Sequence, residues 1–297
     1  MFLRPPDLSS FSGGWPFVRF VVPRSRLWYN LFMKETIKKR LHVATFSEDA
    51  VAVAREFGLG LELNHPCIST NLDEEKIEDT IRQARQDIHL AQAKSIIVHG
   101  PFTEIVPASI DWRFVDLALM RLNQAYDFAK AVGCLRMVVH SGYYPSLYFP
   151  SWHLEKSLEF WDRFLADKDD LTIMVENVFE EDPLLLKKLA SEFNRRDQLQ
   201  VCLDVGHANV MVHTSLRERQ AKTWPVEEWI RELGDLVSHY HIHNNFGDKD
   251  THRSLGDGTV DMASILETIE AYNPSPYTIT LESKDCRRCV EWLNENV

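Results

Sequence analysis

The sequence predicts an α/β protein of the (β/α)8 class, a single parallel barrel preceded by an N-terminal extension. Short β-rich runs alternate with longer segments of helical apolar spacing from residue 41 onward, the pattern of βα units around a parallel sheet. Eight such pairs fit between residues 41 and 297, and no linker divides them. Six of the eight apolar runs end in His, Asp or Glu, as strand ends gathered at one face of a barrel would.

The strand candidates are 41–46, 58–63, 95–99, 136–140, 171–176, 199–204, 238–243 and 277–282. After the first, Ser47 precedes Glu48 and Asp49, and after the second Asp73 opens an acidic stretch; oxygen acceptors and negative charge both suit a helix N-terminus. The third and fourth runs are followed by helical spacing over Trp112–Val132 and 154–165. Pro183, after the fifth run, sits where a first-turn proline is tolerated. A last helix is expected over about 286–294, after the eighth.

The totals agree with one large domain. The chain has 297 residues, 44% hydrophobic and 26% charged, and barrels of this class run to roughly 250 residues as one unit. A net charge of −11 repels phosphate backbones, which disfavours nucleic acid as a partner. Five scattered cysteines, an odd number, form no disulfide framework and suit a reducing cytoplasm. Cys286 and Cys289 are the one close pair; without a second pair or a neighbouring His they read as packing at a helix start. No apolar run reaches the ~18 residues of a membrane span. Residues 1–38 read as an extension outside the barrel, because Arg4, Arg19, Arg24 and Arg26 interrupt the apolar core a secretory signal needs. Met33 stands just before the first regular element and is an alternative start.

The chemistry collects at the strand ends: His99 in IIVHG, His140 in MVVHS, Glu176 in IMVEN, Asp204 in VCLDVGH, His241 in HYHIHNN and Glu282 in TITLES. A lone strand-end His is usually structural. A buried Glu, however, is costly unless paired or ligated, and six such residues at equivalent positions point to a metal site. Alternation agrees for the last strand, where Thr278, Thr280 and Glu282 share one face. His207 follows Asp204 as D-x-x-H, and Asp250 with His252 forms D-x-H in a loop whose Gly256 and Gly258 permit a tight return. Mixed His and carboxylate donors suit zinc or manganese first, with iron, cobalt or magnesium as further options. Phe102, Tyr143, Tyr144, Tyr148, Phe149 and Trp152 offer aromatic walls for a small ligand or packing between helices.

By VCLDVGH, HIHNN, THRSLGDGTVD and the strand-end set, residues 41–297 resemble the xylose isomerase-like TIM-barrel superfamily, which contains sugar phosphate isomerases and epimerases as well as endonuclease IV. The resemblance implies three groups of divalent-metal ligands: His99, His140 and Glu176; Glu176, Asp204, His241 and Glu282; and His207, Asp250 and His252. His241 is preferred over His239 and His243 because H-x-x-N-N is similar to the family's H-x-x-D-N; His239 then lies deeper in the barrel. His42, His65, His89, His153 and His213 are read as structural or surface residues.

The implied activity is isomerisation or epimerisation of a sugar, sugar phosphate or related polyol. In that reading Glu176 and Glu282 remove and return a proton, His207 lies near the substrate, and His243, Asn177, Phe102 and Tyr143 contact it. About one to three ions per chain are expected. Two alternatives stay open: a phosphodiesterase of endonuclease IV type acting on abasic DNA, and a barrel that binds metal or ligand without turnover. LGLELNHP and the acidic NLDEEKIEDTIRQARQ look like the isomerase branch, and no Arg-rich loop suits a bent duplex.

Overall fold

The computed structural model describes residues 36–218 and 222–297. Its eight strands are β1 (Leu41–Ala44), β2 (Gly60–Leu63), β3 (Ile96–His99), β4 (Arg136–His140), β5 (Thr172–Glu176), β6 (Leu199–Asp204), β7 (Val237–Ile242) and β8 (Thr278–Leu281). They pair in parallel in sequence order, and β8 returns to β1 to close the barrel. The helices outside it are α1 (Ala50–Phe57), α2 (Ile77–Ala91), α3 (Trp112–Val132), α4 (Pro150–Leu165), α5 (Leu184–Glu192), α6 (Val205–Arg217), α7 (Val226–Leu233), α8 (Met262–Tyr272) and α9 (Cys286–Asn296).

Alternation along each strand divides the core in two. Outward residues such as Val43, Leu61, Val139, Leu203, Ile242 and Leu281 join the helices in the main apolar cluster. Inward, Ile97, Val138, Met174 and Cys202 form a separate small plug on the β3–β6 side. The opposite wall of the interior is polar: Glu62, His239 and Thr280 are wholly buried there.

Local chemistry sets the helix ends. Asp111 starts α3 by accepting from Arg113 N at 3.0 Å, and Gly133, at φ 77°, ends it in the left-handed conformation. Asp261 and Asp285 cap α8 and α9 in the same way, accepting from Ser264 N and Arg288 N. Cys286 and Cys289 are free thiols on the buried stripe of α9, as packing predicts.

One expectation shifts. Asp73 does not open α2, which begins at Ile77 after a 3-10 turn over Ser69–Leu72; the Asp73 carboxylate is instead held by Arg121 Nη1 at 2.5 Å and ties that turn to α3. After β6, α6 starts at Val205 immediately beyond Asp204, so His207 lies in its first turn.

Residues 1–35 of the expected extension, with the Met33 start, lie outside the described residues. Ile37, within the span assigned to that extension, is 2% exposed and packs in the main core. Among the described residues no helix is long and apolar enough to cross a membrane.

Candidate metal centre

Parallel strands all point their C-terminal ends to one face, so the last residues of β3, β4, β5 and β6 meet there with His241 of β7 and Glu282 just past β8. Glu176 is the hub. Its Oε2 lies 3.3 Å from His99 Nε2 and 3.5 Å from His140 Nε2, while its Oε1 lies 3.2 Å from His241 Nδ1 and 3.4 Å from His207 Nδ1. His241 Nδ1 in turn stands 3.1 Å from Glu282 Oε2 and 3.8 Å from Asp204 Oδ2. Within each of two sets, His99–His140–Glu176 and Glu176–Asp204–His241–Glu282, the donor atoms lie within 4.8 Å of one another.

A third set adjoins these and is larger than the sequence pattern implied. His207, Asp250 and His252 are joined by His243, again with donor atoms within 4.8 Å. His207 Nε2 and His252 Nε2 approach Asp250 Oδ2 at 3.2 and 2.9 Å, and His243 Nε2 approaches Asp204 Oδ2 at 3.2 Å. The His243 and His252 rings stack at 4.2 Å. His243, expected against substrate, is thus wholly buried among the candidate ligands.

The spacing of D-x-x-H now has a cause. Asp204 caps α6, accepting from His207 N through Oδ1 at 2.6 Å, which brings the His207 ring over the same site and leaves Oδ2 for the cluster. Gly206 between them is required, since a Cβ there would fall 2.0 Å from His243 Cε1.

The D-x-H loop is pinned by the two asparagines after β7. Asn244 pairs with Arg253 across a short antiparallel bridge and donates from Nδ2 to Leu255 O and Val260 O at 2.7 and 3.0 Å. Asn245 donates to Gly206 O at 2.9 Å and accepts from Asn209 Nδ2 at 2.8 Å, joining the loop to α6.

Burial opposes ionisation of the carboxylates, and the surrounding imidazoles outweigh it. Glu176 is held well below the usual carboxylate range by His241 and His140, and Asp204 is brought to about 2 by His207 and His243. His252 is raised to about 9, against burial, by Asp250 and Glu282. His140 goes the other way: burial drives it down to about 3.

These residues fit a divalent cation. Glu176 Oε2, Asp204 Oδ2 and Glu282 Oε2 are buried oxygens without a hydrogen-bond donor, and all three belong to the four-residue set. Three carboxylates so close repel one another unless positive charge sits between them.

One residue of the site escaped the sequence pattern. Glu62 of β2, wholly buried, meets His241 Nε2 through Oε1 at 3.0 Å, His239 Nε2 through Oε2 at 3.0 Å and the Thr280 hydroxyl at 2.5 Å. His239 lies one layer below His241, its Nδ1 at 2.7 Å from Thr278 Oγ1, so the deeper position expected of it is the one it takes. Burial opposes ionisation of Glu62 too, but His241 and His239 hold its pKa well below the usual range. A carboxylate on Nε2 leaves Nδ1 of His241 facing Glu176 and Glu282.

The expected substrate contacts divide. Phe102 is 38% exposed with its ring 5.1 Å from His140, at the edge of the site. Asn177 is buried and commits its amide to the Asp204 backbone, donating to O at 2.9 Å and accepting from N at 2.8 Å. Those two bonds fix the end of β6. Tyr143 is 6% exposed, packs on His153 and lines a 410 Å³ cavity between α4 and α5.

Comparison with known proteins agrees with this architecture. A family model described as xylose isomerase-like TIM barrel matches residues 48–295. An uncharacterized protein of Methanocaldococcus jannaschii is 26% identical over 208 residues, covering 66% of this chain and 67% of its own. Among solved structures, a D-tagatose 3-epimerase-like protein superposes with a TM-score of 0.67 at 22% identity, covering 86% of this chain and 94% of its own. A Thermus thermophilus protein soaked with zinc chloride superposes with a TM-score of 0.68 at 22% identity, covering 87% of this chain and 98% of its own.

Proposed function

Because the chain belongs to the xylose isomerase-like TIM-barrel family, we propose that it is a metal-dependent isomerase or epimerase that moves a proton on a carbohydrate-like substrate. The observation that carries this reading is the placing of two carboxylates about one point. Glu176, at the end of β5, and Glu282, past β8, approach His241 Nδ1 at 3.2 and 3.1 Å from different walls of the barrel. The D-tagatose 3-epimerase-like protein among the structural relatives adds support for the sugar class.

Glu176, Asp204, His241 and Glu282 would hold the principal ion, zinc or manganese by donor type, with His99 and His140 or the His207 group as further positions. When bound, such an ion supplies Lewis-acid polarisation of substrate carbonyl and hydroxyl oxygens. The protein does the rest. Glu282 accepts the proton from a substrate carbon through a carboxylate oxygen, and Glu176 stands across from it to return one. Glu62 keeps the His241 ring in register, and Phe102 shields one side of the opening from water.

The adjoining third group, His207, His243, Asp250 and His252, favours a second reading, phosphodiester hydrolysis of endonuclease IV type. One experiment separates the two. Metal-loaded protein is given ketoses and their phosphates in deuterated water, and in parallel an abasic-site duplex at low salt. Deuterium incorporation into sugar, abolished in Glu282→Gln, is the expected result. Metal-dependent strand incision with no exchange would promote the hydrolase, and silence on both substrates would favour a barrel without turnover.

A further inference from the structure

The opposite end of the barrel carries a 390 Å³ cavity that the proposed reaction does not use. It opens among the starts of β4, β6, β7 and β8, where Arg136, Gln200, Ser238 and Thr278 line it and Asp235 stands at the rim. Arg136 is the unusual member. Its Nη2 donates to Thr278 Oγ1 at 3.2 Å and to the Ser238 carbonyl at 3.3 Å and lies 3.5 Å from Met174 Sδ. No carboxylate among the described residues pairs with it.

Other inward-set cations of the molecule are neutralised. Arg121 has Asp73 at 2.5 Å, and Lys168 has Asp167 at 2.6 Å. Arg136 has only neutral acceptors, and a guanidinium cannot shed its proton to escape the cost of burial. Glu62, further up the barrel axis, is already shared by His239, His241 and Thr280. Asp235 is exposed to solvent and does not reach Arg136.

One more polar group in the same cavity lacks a protein partner. The Gln200 amide bonds to no described residue. A fixed positive charge, with Nε and Nη1 uncommitted, thus faces a cavity that also offers an amide donor. We propose that this cavity binds a small oxyanion, a carboxylate or a phosphate group, with Arg136 as its counter-charge and Gln200 as a neutral donor. The planar fork of an arginine suits two-point contact with either group.

The test uses the full, metal-loaded chain as wild type, Arg136→Gln and Gln200→Glu, each titrated with inorganic phosphate and separately with acetate, read by calorimetry and thermal midpoint. All three proteins keep the metal centre, so anion binding there is a common background. Wild type should show an additional binding event that weakens by about tenfold or more in Arg136→Gln, as loss of a charge-assisted pair implies. Gln200→Glu should supply the missing carboxylate from within, raising the midpoint without added anion and removing the response. A response to phosphate alone or to acetate alone identifies which group the cavity takes. Equal responses in all three proteins, or none in wild type, would overturn the proposal. Should Arg136→Gln fail to fold, the nearly isosteric Gln200→Glu decides the matter by itself.

Discussion

Glu62 shows what a single side chain can hide in a strand. In LGLELN it sits between two leucines of β2, not at the end of an apolar run, so a search of strand ends passes over it. Alternation would have found it: Leu61 and Leu63 belong to the outer apolar cluster, which turns Glu62 inward. Its contact with His241 Nε2 at 3.0 Å makes it the orienting partner of a candidate ligand. Glu62→Gln is therefore expected to keep the fold and to lower affinity for zinc or manganese by about 10–100-fold, the usual effect of losing such a partner. Metal titration of folded protein, followed by circular dichroism, checks it; unchanged affinity would reduce Glu62 to a packing residue. His42 and His153 act at the same scale in a different way. Burial drives both pKa values down to about 4, so the folded state keeps them neutral while the unfolded chain protonates them near its ordinary 6.5. Their stabilisation is complete above about pH 6.5, falls as pH drops toward 4 and is flat below it, by roughly 3 kcal/mol each at most. Urea unfolding across that window should show the loss, and His153→Phe should make the decline shallower.

Whole elements were more legible than their edges. The 136–140 and 199–204 runs and the Trp112–Val132 helix match β4, β6 and α3 at both ends, because each is bounded by a turn or a cap that its own residues supply. Where a distant partner takes the capping group, as Arg121 takes Asp73, local pattern misplaces the start of α2. The D-x-H loop belongs to the second kind. Its position depends on Asn244 and Asn245 reaching Leu255, Val260 and Gly206, contacts that sequence spacing does not express. Gly258 is the point at which this loop passes closest: a Cβ there would lie 2.1 Å from Asn244 Oδ1 and 2.4 Å from the Asn245 carbonyl. Gly258→Ala should thus displace the loop and weaken metal binding at the His207, His243, Asp250 and His252 group first. A metal count at limiting concentration would show it, and an unchanged stoichiometry would mean that the loop yields without moving its ligands.

At the scale of the molecule, a bound ion would act as a clasp on the closed sheet. The candidate ligands come from the ends of β3 through β8, spread over most of the chain, so an ion would add a joint between strands already held by backbone ladders and by side-chain contacts such as His239–Thr278. The buried carboxylates Glu62, Glu176, Asp204 and Glu282 also repel one another there. Without metal, protonated imidazoles supply the balancing charge, as the raised pKa of His241, opposed by burial but favoured by the Glu282, Glu62 and Glu176 carboxylates nearby, indicates. Metal binding to the folded state alone stabilises it by mass action, by about 4 kcal/mol when free metal stands at 1,000 times its dissociation constant. Stripping the protein with a chelator is expected to lower the thermal midpoint by several degrees. Restoring zinc or manganese should recover it in proportion to occupancy. Glu282→Gln tests the assignment within the same assay. It is nearly isosteric, so a carboxylate that only packs would leave both midpoints as they were, whereas a ligand would leave the metal-free midpoint nearly unchanged or raised and remove much of the metal-dependent gain. A chelator-treated protein that melts with the untreated one, over a range of metal concentrations, would rule out the clasp.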